Sequence, residues 1–394
     1  LDRGISRTWF RVCACVLATA FSQISWASGV FSIENQLSAV GRSFPNGTSN
    51  YDSLVEGFLE TSPGWKWEGQ RFNFEAQLLL RSLQTPINAY PRDPAFLNLA
   101  PTGRLFNASN VTLSQSSQTF TDISKLWASY SLPSLQVSIG RRPLGIGVLR
   151  VLPVWNRLAV VLPSLSGYLL SQNPDLFDIR WQHQAWTVAG FSVLAQDPNS
   201  QIEAVEIVHY GAQLEAHFLI GEWWQQATLG LAGAVDAQGA TFRAETFAFA
   251  AQNSRPGGIQ AGLGFEKALN SRWSVLAEYY HSSIGTDTSS LYLLQTPTLF
   301  RALLSSDYFE PSLALQATDF WKLSTAVLIN VIDGSLYWMS ESAYSFSDHV
   351  DLLATVRLPF GGLNQEFGYL PIPGAGNQNL EYPQWVSVSV KASF

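Results

Sequence analysis

The chain has 394 residues, of which 13% are charged and 13% aromatic, with 23 Lys and Arg against 30 Asp and Glu. That acidic balance offers no basic footprint for nucleic acid. Both cysteines, Cys13 and Cys15, fall near the amino terminus, so neither a disulfide framework nor a zinc–thiolate site is expected in the rest of the chain.

Arg3, Arg7 and Arg11 precede an apolar run from Val12 to Phe21, followed by Ser25, Trp26 and Ala27. This reads as a secretory signal over residues 1–27, with cleavage after Ala27. Its apolar run is too short to span a bilayer as a helix. Without the leader's three arginines and one aspartate, 20 basic residues face 29 acidic ones, a net charge of −9. Residues 28–394 read as one domain, with no linker and no repeat beyond hairpins.

Period-two alternation then recurs along the chain. Phe72, Phe74, Ala76, Leu78 and Leu80 share one face of a predicted strand, opposite Arg71, Asn73, Glu75, Gln77 and Arg81. Phe177, Ile179 and Trp181 oppose Asp178, Arg180 and Gln182. Val208 to Phe218 reads as one further strand, with Val208, Tyr210, Ala212 and Leu214 opposite His209, Gln213, Glu215 and His217. Val350, Leu352, Ala354, Val356 and Leu358 oppose Asp351, Thr355 and Arg357. In the last segment, Val386, Val388, Val390, Ala392 and Phe394 alternate with Ser387, Ser389, Lys391 and Ser393. Short, turn-prone links such as Asp236–Gly239, Leu269–Ser271, Asp333–Gly334 and Ser347–His349 separate the later strands. Longer connections fall at Gln84–Thr121, Pro143–Asn173, Ile284–Asp307 and Gly361–Gln384, and are placed outside the cell or folded into the lumen.

Strand after strand with an apolar and a wet face, ending on an apolar strand, fits a closed transmembrane barrel, which has no edges to protect. The prediction is an all-β, antiparallel up-and-down barrel. The alternating segments number about 17, and because such barrels have even counts one segment near the amino terminus is set aside. The expected count is therefore about 16 strands, with 14 or 18 as alternatives.

Five sequence features carry a resemblance. The terminal strand ending at Phe394 resembles the carboxy-terminal assembly signal of Gram-negative outer-membrane barrels, with Ala392 and Ser389 where a large apolar residue and Gly are common. The strand-and-loop start Gly140-Arg-Arg-Pro-Leu-Gly145, with Ile146 in place of a usual Trp, and the strand end Glu278-Tyr-Tyr280 resemble a group of porin-like outer-membrane proteins. So do Asp333-Gly-Ser335 and Glu366-Phe-Gly368. The resemblance covers roughly residues 121–394 and implies a barrel in the outer membrane of a Gram-negative bacterium. Its implied partners are membrane lipid and, through the carboxy-terminal strand and Phe394, the barrel-assembly machinery. It assigns no solute.

If the apolar phase faces lipid, the polar phase lines the lumen. The inward candidates are Arg71, Glu75, Arg81, Arg142, Asp178, Arg180, His209, Glu215, His217, Arg243, Glu245, Glu266, Glu278, Glu341, Asp351 and Arg357. They either set up a transverse field in a hydrated pore or are paired charges that select nothing. The segment from Gly140 through Arg150, Trp155 and Arg157 to Pro174 is too apolar for an ordinary outer loop. Folded inward, it would place Arg142, Arg150 and Arg157 at a constriction that attracts anions; the plainer reading is a loop packed at the barrel mouth with its arginines tied to carboxylates.

Catalysis is not expected. His281-Ser282-Ser283 is the local candidate for a serine hydrolase site, but adjacent strand residues point to opposite faces. His209 and His217 lie eight positions apart, too far along a strand for one metal ion, and no cofactor is expected. The function anticipated is diffusion of small solutes through a monomeric or trimeric barrel, with residues 143–173 narrowing the lumen. The alternatives are a carrier for hydrophobic molecules, suited to the apolar Leu144–Leu170 stretch, and a non-transporting envelope or adhesion barrel presenting Ser109–Thr121.

Overall fold

The computed structural model describes residues 30–43, 53–84, 110–113, 117–155, 173–196, 201–252, 256–288, 303–371, 379–381 and 384–393. The expected leader, Arg157 and Phe394 lie outside them. The strands are β1 (Val30–Ser43), β2 (Ser53–Glu68), β3 (Phe72–Gln84), β4 (Asn110–Leu113), β5 (Ser117–Ser131), β6 (Leu135–Arg141) and β7 (Asp175–His183). Next come β8 (Trp186–Val193), β9 (Ile202–Tyr210), β10 (Leu214–Trp223), β11 (Gln226–Ala237), β12 (Ala240–Phe249), β13 (Gly258–Ala268) and β14 (Trp273–Ser282). The last are β15 (Asp307–Thr318), β16 (Trp321–Asn330), β17 (Leu336–Ser347), β18 (Val350–Phe360), β19 (Tyr369–Pro371), β20 (Asn379–Glu381) and β21 (Gln384–Ser393).

Each long strand pairs antiparallel with its neighbour in the chain, and β21 closes the ring by pairing with β18 on one side and β1 on the other. β4 pairs only with the far end of β5, and β19 with β20, so the closed barrel has 18 strands. The favoured count of 16 is therefore corrected. β1 and β2 are both wall strands, so nothing near the amino terminus should have been set aside. Val208–Phe218 is also two strands: Gly211–Gln213 is a turn between β9 and β10, and the apolar alternation runs on across it. At one end of the barrel all eight connections are turns of two to four residues. The four long connections all leave from the other end, and the one predicted after Gln84 contains β4 and the start of β5.

The two faces differ as the alternation requires. Leu231, Leu263 and Val388 lie mid-strand on the outer phase and are 55%, 60% and 50% exposed. Their neighbours Gly230, Gly262 and Ser387 on the inner phase are buried. Outward aromatic residues gather at the short-turn end: Trp65 on Phe74 and Trp67 on Phe72, each with ring centroids 5.2 Å apart, and Phe242 on Phe265 at 5.3 Å. Aromatic rings at one rim, Trp65 and Trp67 among them, and bare aliphatic side chains above them match a membrane interface and its hydrocarbon. Inside, an apolar cluster including Trp223, Phe247, Phe191, Tyr308 and Tyr337 fills the long-connection end.

Replacing Leu263 by Arg is expected to destabilise the barrel in lipid vesicles by about 2–4 kcal/mol, the effect of a guanidinium near the bilayer midplane. A surface substitution in a water-soluble protein stays within about 0.5 kcal/mol, and reversible unfolding in vesicles separates the two.

Candidate functional site

The segment after β6 turns inward because Gly140 has φ +124°, and a Cβ there would run into the Leu126 carbonyl. Arg141 then sits between the two flanking strands at 4% exposure. Its Nε donates to Asp175 Oδ1 (2.8 Å) and its Nη2 to Asp175 Oδ2 (3.2 Å). Nη1 donates to Asp122 Oδ1 (3.4 Å) and the Ile123 carbonyl (2.9 Å). Asn173 Nδ2 donates to the Ser124 carbonyl (2.7 Å), so both ends of the loop are tied to the wall beside β5. Charge-assisted, bidentate pairing of this kind fixes geometry as well as charge.

From that base the chain crosses the interior to β12 and β14. Residues 148–155 form no regular structure, so their backbone N–H groups need acceptors away from water. Two wall carboxylates supply them. Glu245 Oε1 accepts from Val148 N and Leu149 N (2.6 Å), and Oε2 from Val154 N (2.9 Å) and Trp155 N (3.3 Å). Glu278 Oε1 accepts from Arg150 N (2.7 Å), and Oε2 from Val151 N (2.9 Å) and Leu152 N (2.7 Å). Gly147, at φ +84°, makes the bend that aims the first of these donors. The wall is also hollowed to receive the loop's side chains. A Cβ on Gly230 would lie 2.8 Å from the Trp155 ring, and one on Gly264 3.0 Å from Leu149 Cδ2. Trp155 is fully buried, with Nε1 donating to the Thr246 carbonyl (2.8 Å) and its ring edge-on to His217.

The candidate arginines are engaged where they are described. Arg142 forms an ion pair with Asp178 and lies 5.9 Å from the Trp127 ring centroid. Arg150 Nε is 3.5 Å from Glu266 Oε2, the oxygen that also accepts from Arg243 Nη2 at 2.6 Å. Glu75 accepts from Lys125 Nζ (2.8 Å) and Trp127 Nε1 (3.1 Å). His217 stands between Glu206 and Glu215, 2.8 Å from each, and Arg357 lies over Trp385 at 4.3 Å. Arg180, Glu341 and Asp351 follow the inner phase of their strands, and Arg71 lies in the turn before β3. His209 differs: the turn at Gly211–Gln213 puts it on the outer phase, against Trp186 (4.5 Å), and therefore not with His217. Glu245 and Glu278, expected among the inward charges, lie on the inner wall and hold the loop. Arg141, Asp122 and Asp175 were not among the candidates, because nothing local in the sequence shows which strands flank the loop.

A second carboxyl ties the long-connection end together. Glu366, fully buried, accepts from Leu304 N (3.0 Å), Asn330 Nδ2 (2.9 Å) and Tyr308 Oη, while its own N–H donates to Asp333 Oδ2 (2.8 Å). Burial, and then nearby Asp333, push its pKa up to about 7. The local candidate for a hydrolase site, His281-Ser282-Ser283, is dispersed. His281 turns to Asp307 on β15 (2.9 Å), Ser282 is buried on the other face, and Ser283 Oγ is held towards β13 by Ile259 N (2.8 Å).

Replacing Glu245 by Ala leaves four N–H groups without their acceptor. Amides 148–155 are expected to exchange at least about tenfold faster than in the parent, the effect of losing roughly 1.4 kcal/mol of protection. A raised carboxyl pKa gives stability that is full below the ordinary value and lost as pH rises through the shifted one. Proteolysis of segments 303–306 and 361–368 should therefore quicken between pH 6 and pH 8, and Glu366→Gln should remove that dependence.

No protein-family model matches the chain, and no curated protein does. Among solved structures, a triple mutant of Rhodopseudomonas blastica porin is similar with TM-score 0.47 at 10% identity, covering 93% of this chain and 100% of that one. A structure described as asymmetric conductivity of engineered proteins gives 0.46 at 10%, with the same coverage. At these scores the architecture rests on the strand pairing itself: the chain is a closed, antiparallel β-barrel of 18 strands.

Proposed function

We propose that this protein is an outer-membrane channel of a Gram-negative bacterium that passes small solutes by diffusion and is narrowed by the loop after β6. The observation that carries this reading is the capture of residues 148–155 by Glu245 and Glu278 on the inner wall. A loop resting on the barrel mouth would find water for its N–H groups and would not need buried carboxylates. The aliphatic outer face supports the location, and β21, paired on both edges, is the strand through which assembly machinery would act. The dispersal of His281, Ser282 and Ser283 supports a non-enzymatic role.

Selectivity follows from pairing, not from free arginines. Arg142 with Asp178, and Arg150 with Glu266, bring opposite charges together, so the loop level weights solutes by charge only mildly. A second reading, a carrier for hydrophobic molecules, is favoured by the aromatic cluster at the long-connection end. Presentation of Ser109–Thr121 for adhesion has less support, since its described residues belong to β4 and β5.

In planar bilayers the purified protein should give steady conductance, which increases when residues 144–155 are deleted. Serine at both Arg142 and Arg150 strips the counter-charge from Asp178 and leaves Glu266 to Arg243 alone, removing two positive charges at the loop level, and should move the reversal potential in a salt gradient towards cation preference. Ligand-dependent uptake without conductance would favour the carrier instead.

A further inference from the structure

Beneath the loop, on its short-turn side, lies a cavity of about 580 Å³, within the range of small-molecule sites. Gly147–Arg150 roof it, and the turn at 210–215 with the adjoining ends of β11 and β12 walls it. We propose that it binds a small zwitterion, an amino acid or short peptide, with the carboxylate on Arg150 and the ammonium on Asp236 and Glu215. This deepens the channel reading by naming the solute class, and rests on it only for how the solute arrives.

The charges make the case. Arg150 and Arg243 converge on one oxygen of Glu266, at 3.5 Å and 2.6 Å. Arg243 Nη1 is buried with no hydrogen-bond partner among the described residues, so Glu266 is the shared counter-ion of two guanidinium groups. The longer of the two contacts, that of Arg150, leaves its positive charge open to a solute. Arg150 can present it, because its side chain is 60% exposed while its backbone is fixed through Glu278. A guanidinium held in place by its main chain is suited to a carboxylate.

The other side carries the opposite sign. Asp236 Oδ1 accepts from Thr241 Oγ1 (2.5 Å), and no described cation pairs with it. Glu215 has one oxygen on His217 Nε2, and that imidazole also serves Glu206, so two carboxylates divide one ring. A simple anion would meet Asp236 and Glu215, and a simple cation would meet Arg150. A neutral sugar would find one aromatic side chain, Tyr210, for stacking. A molecule with both charges satisfies both sides.

Calorimetric titration of the full chain in detergent with alanyl-alanine, acetate and glucose tests this. Saturable binding is expected for alanyl-alanine. Arg150→Ser and Asp236→Asn should each weaken it by about tenfold, roughly one charge-assisted hydrogen bond, and glucose should show no saturation. Both variants keep the loop's backbone anchors, and unchanged heat-modified gel mobility establishes that each is folded. The proposal is overturned if the parent does not bind alanyl-alanine, if folded Arg150→Ser binds it equally, or if glucose binds as well. Conductance without this binding sinks the site alone. Binding without conductance sinks the channel reading and leaves the site standing.

Discussion

The arrangement depends on one constraint: main-chain N–H groups taken inside the barrel must find acceptors there. The loop after β6 has no ladder of its own, and Glu245 and Glu278 stand in for the missing strand. Because a carboxylate offers two oxygens with about four lone-pair positions, two side chains can serve a whole bend. The glycines opposite Trp155 and Leu149 complete the fit by leaving room, so the wall and the loop specify each other. Polar acceptance and shape complementarity together place the loop more firmly than its apolar character alone would.

That constraint also decides what the interior charges mean. Acidic residues on an inner wall suggest a field acting on passing ions, yet the most deeply buried ones here act on the protein's own backbone. Arginines are treated likewise, Arg141 as a clamp between β5 and β7 and Arg142 as the partner of Asp178. The groups left for solute are those with incomplete partners, around the space under the loop. The long-connection end is built on the same principle, with Glu366 gathering donors from the loop before β15, from β15 itself and from the end of β16.

Much of the fold was legible in the sequence. Alternation at Phe72–Leu80 and Val386–Ser393 reports the two faces of a wall strand directly, since the pleat has a period of two. The strand count was less so. A three-residue turn such as Gly211–Gln213 preserves an apolar alternation, and the reading of Val208–Phe218 ran through it, which also put His209 on the wrong face. The inward course of the loop could be suspected from its apolar residues, and Gly140 marked where the strand ends. Which wall residues meet it could not, because Glu245 and Glu278 lie 90 to 128 positions from the donors they accept from. Such pairings are set by barrel closure, a global property that no local pattern encodes.

The most direct test of this account is the position of the loop crest in the membrane-embedded protein. Cysteines replacing Leu149 and Gly264, probed with a short thiol-reactive linker in intact membranes, should cross-link efficiently, because these residues meet across the interior. Failure to cross-link, while both thiols react readily with a small maleimide, would place the loop away from the wall and contradict the account.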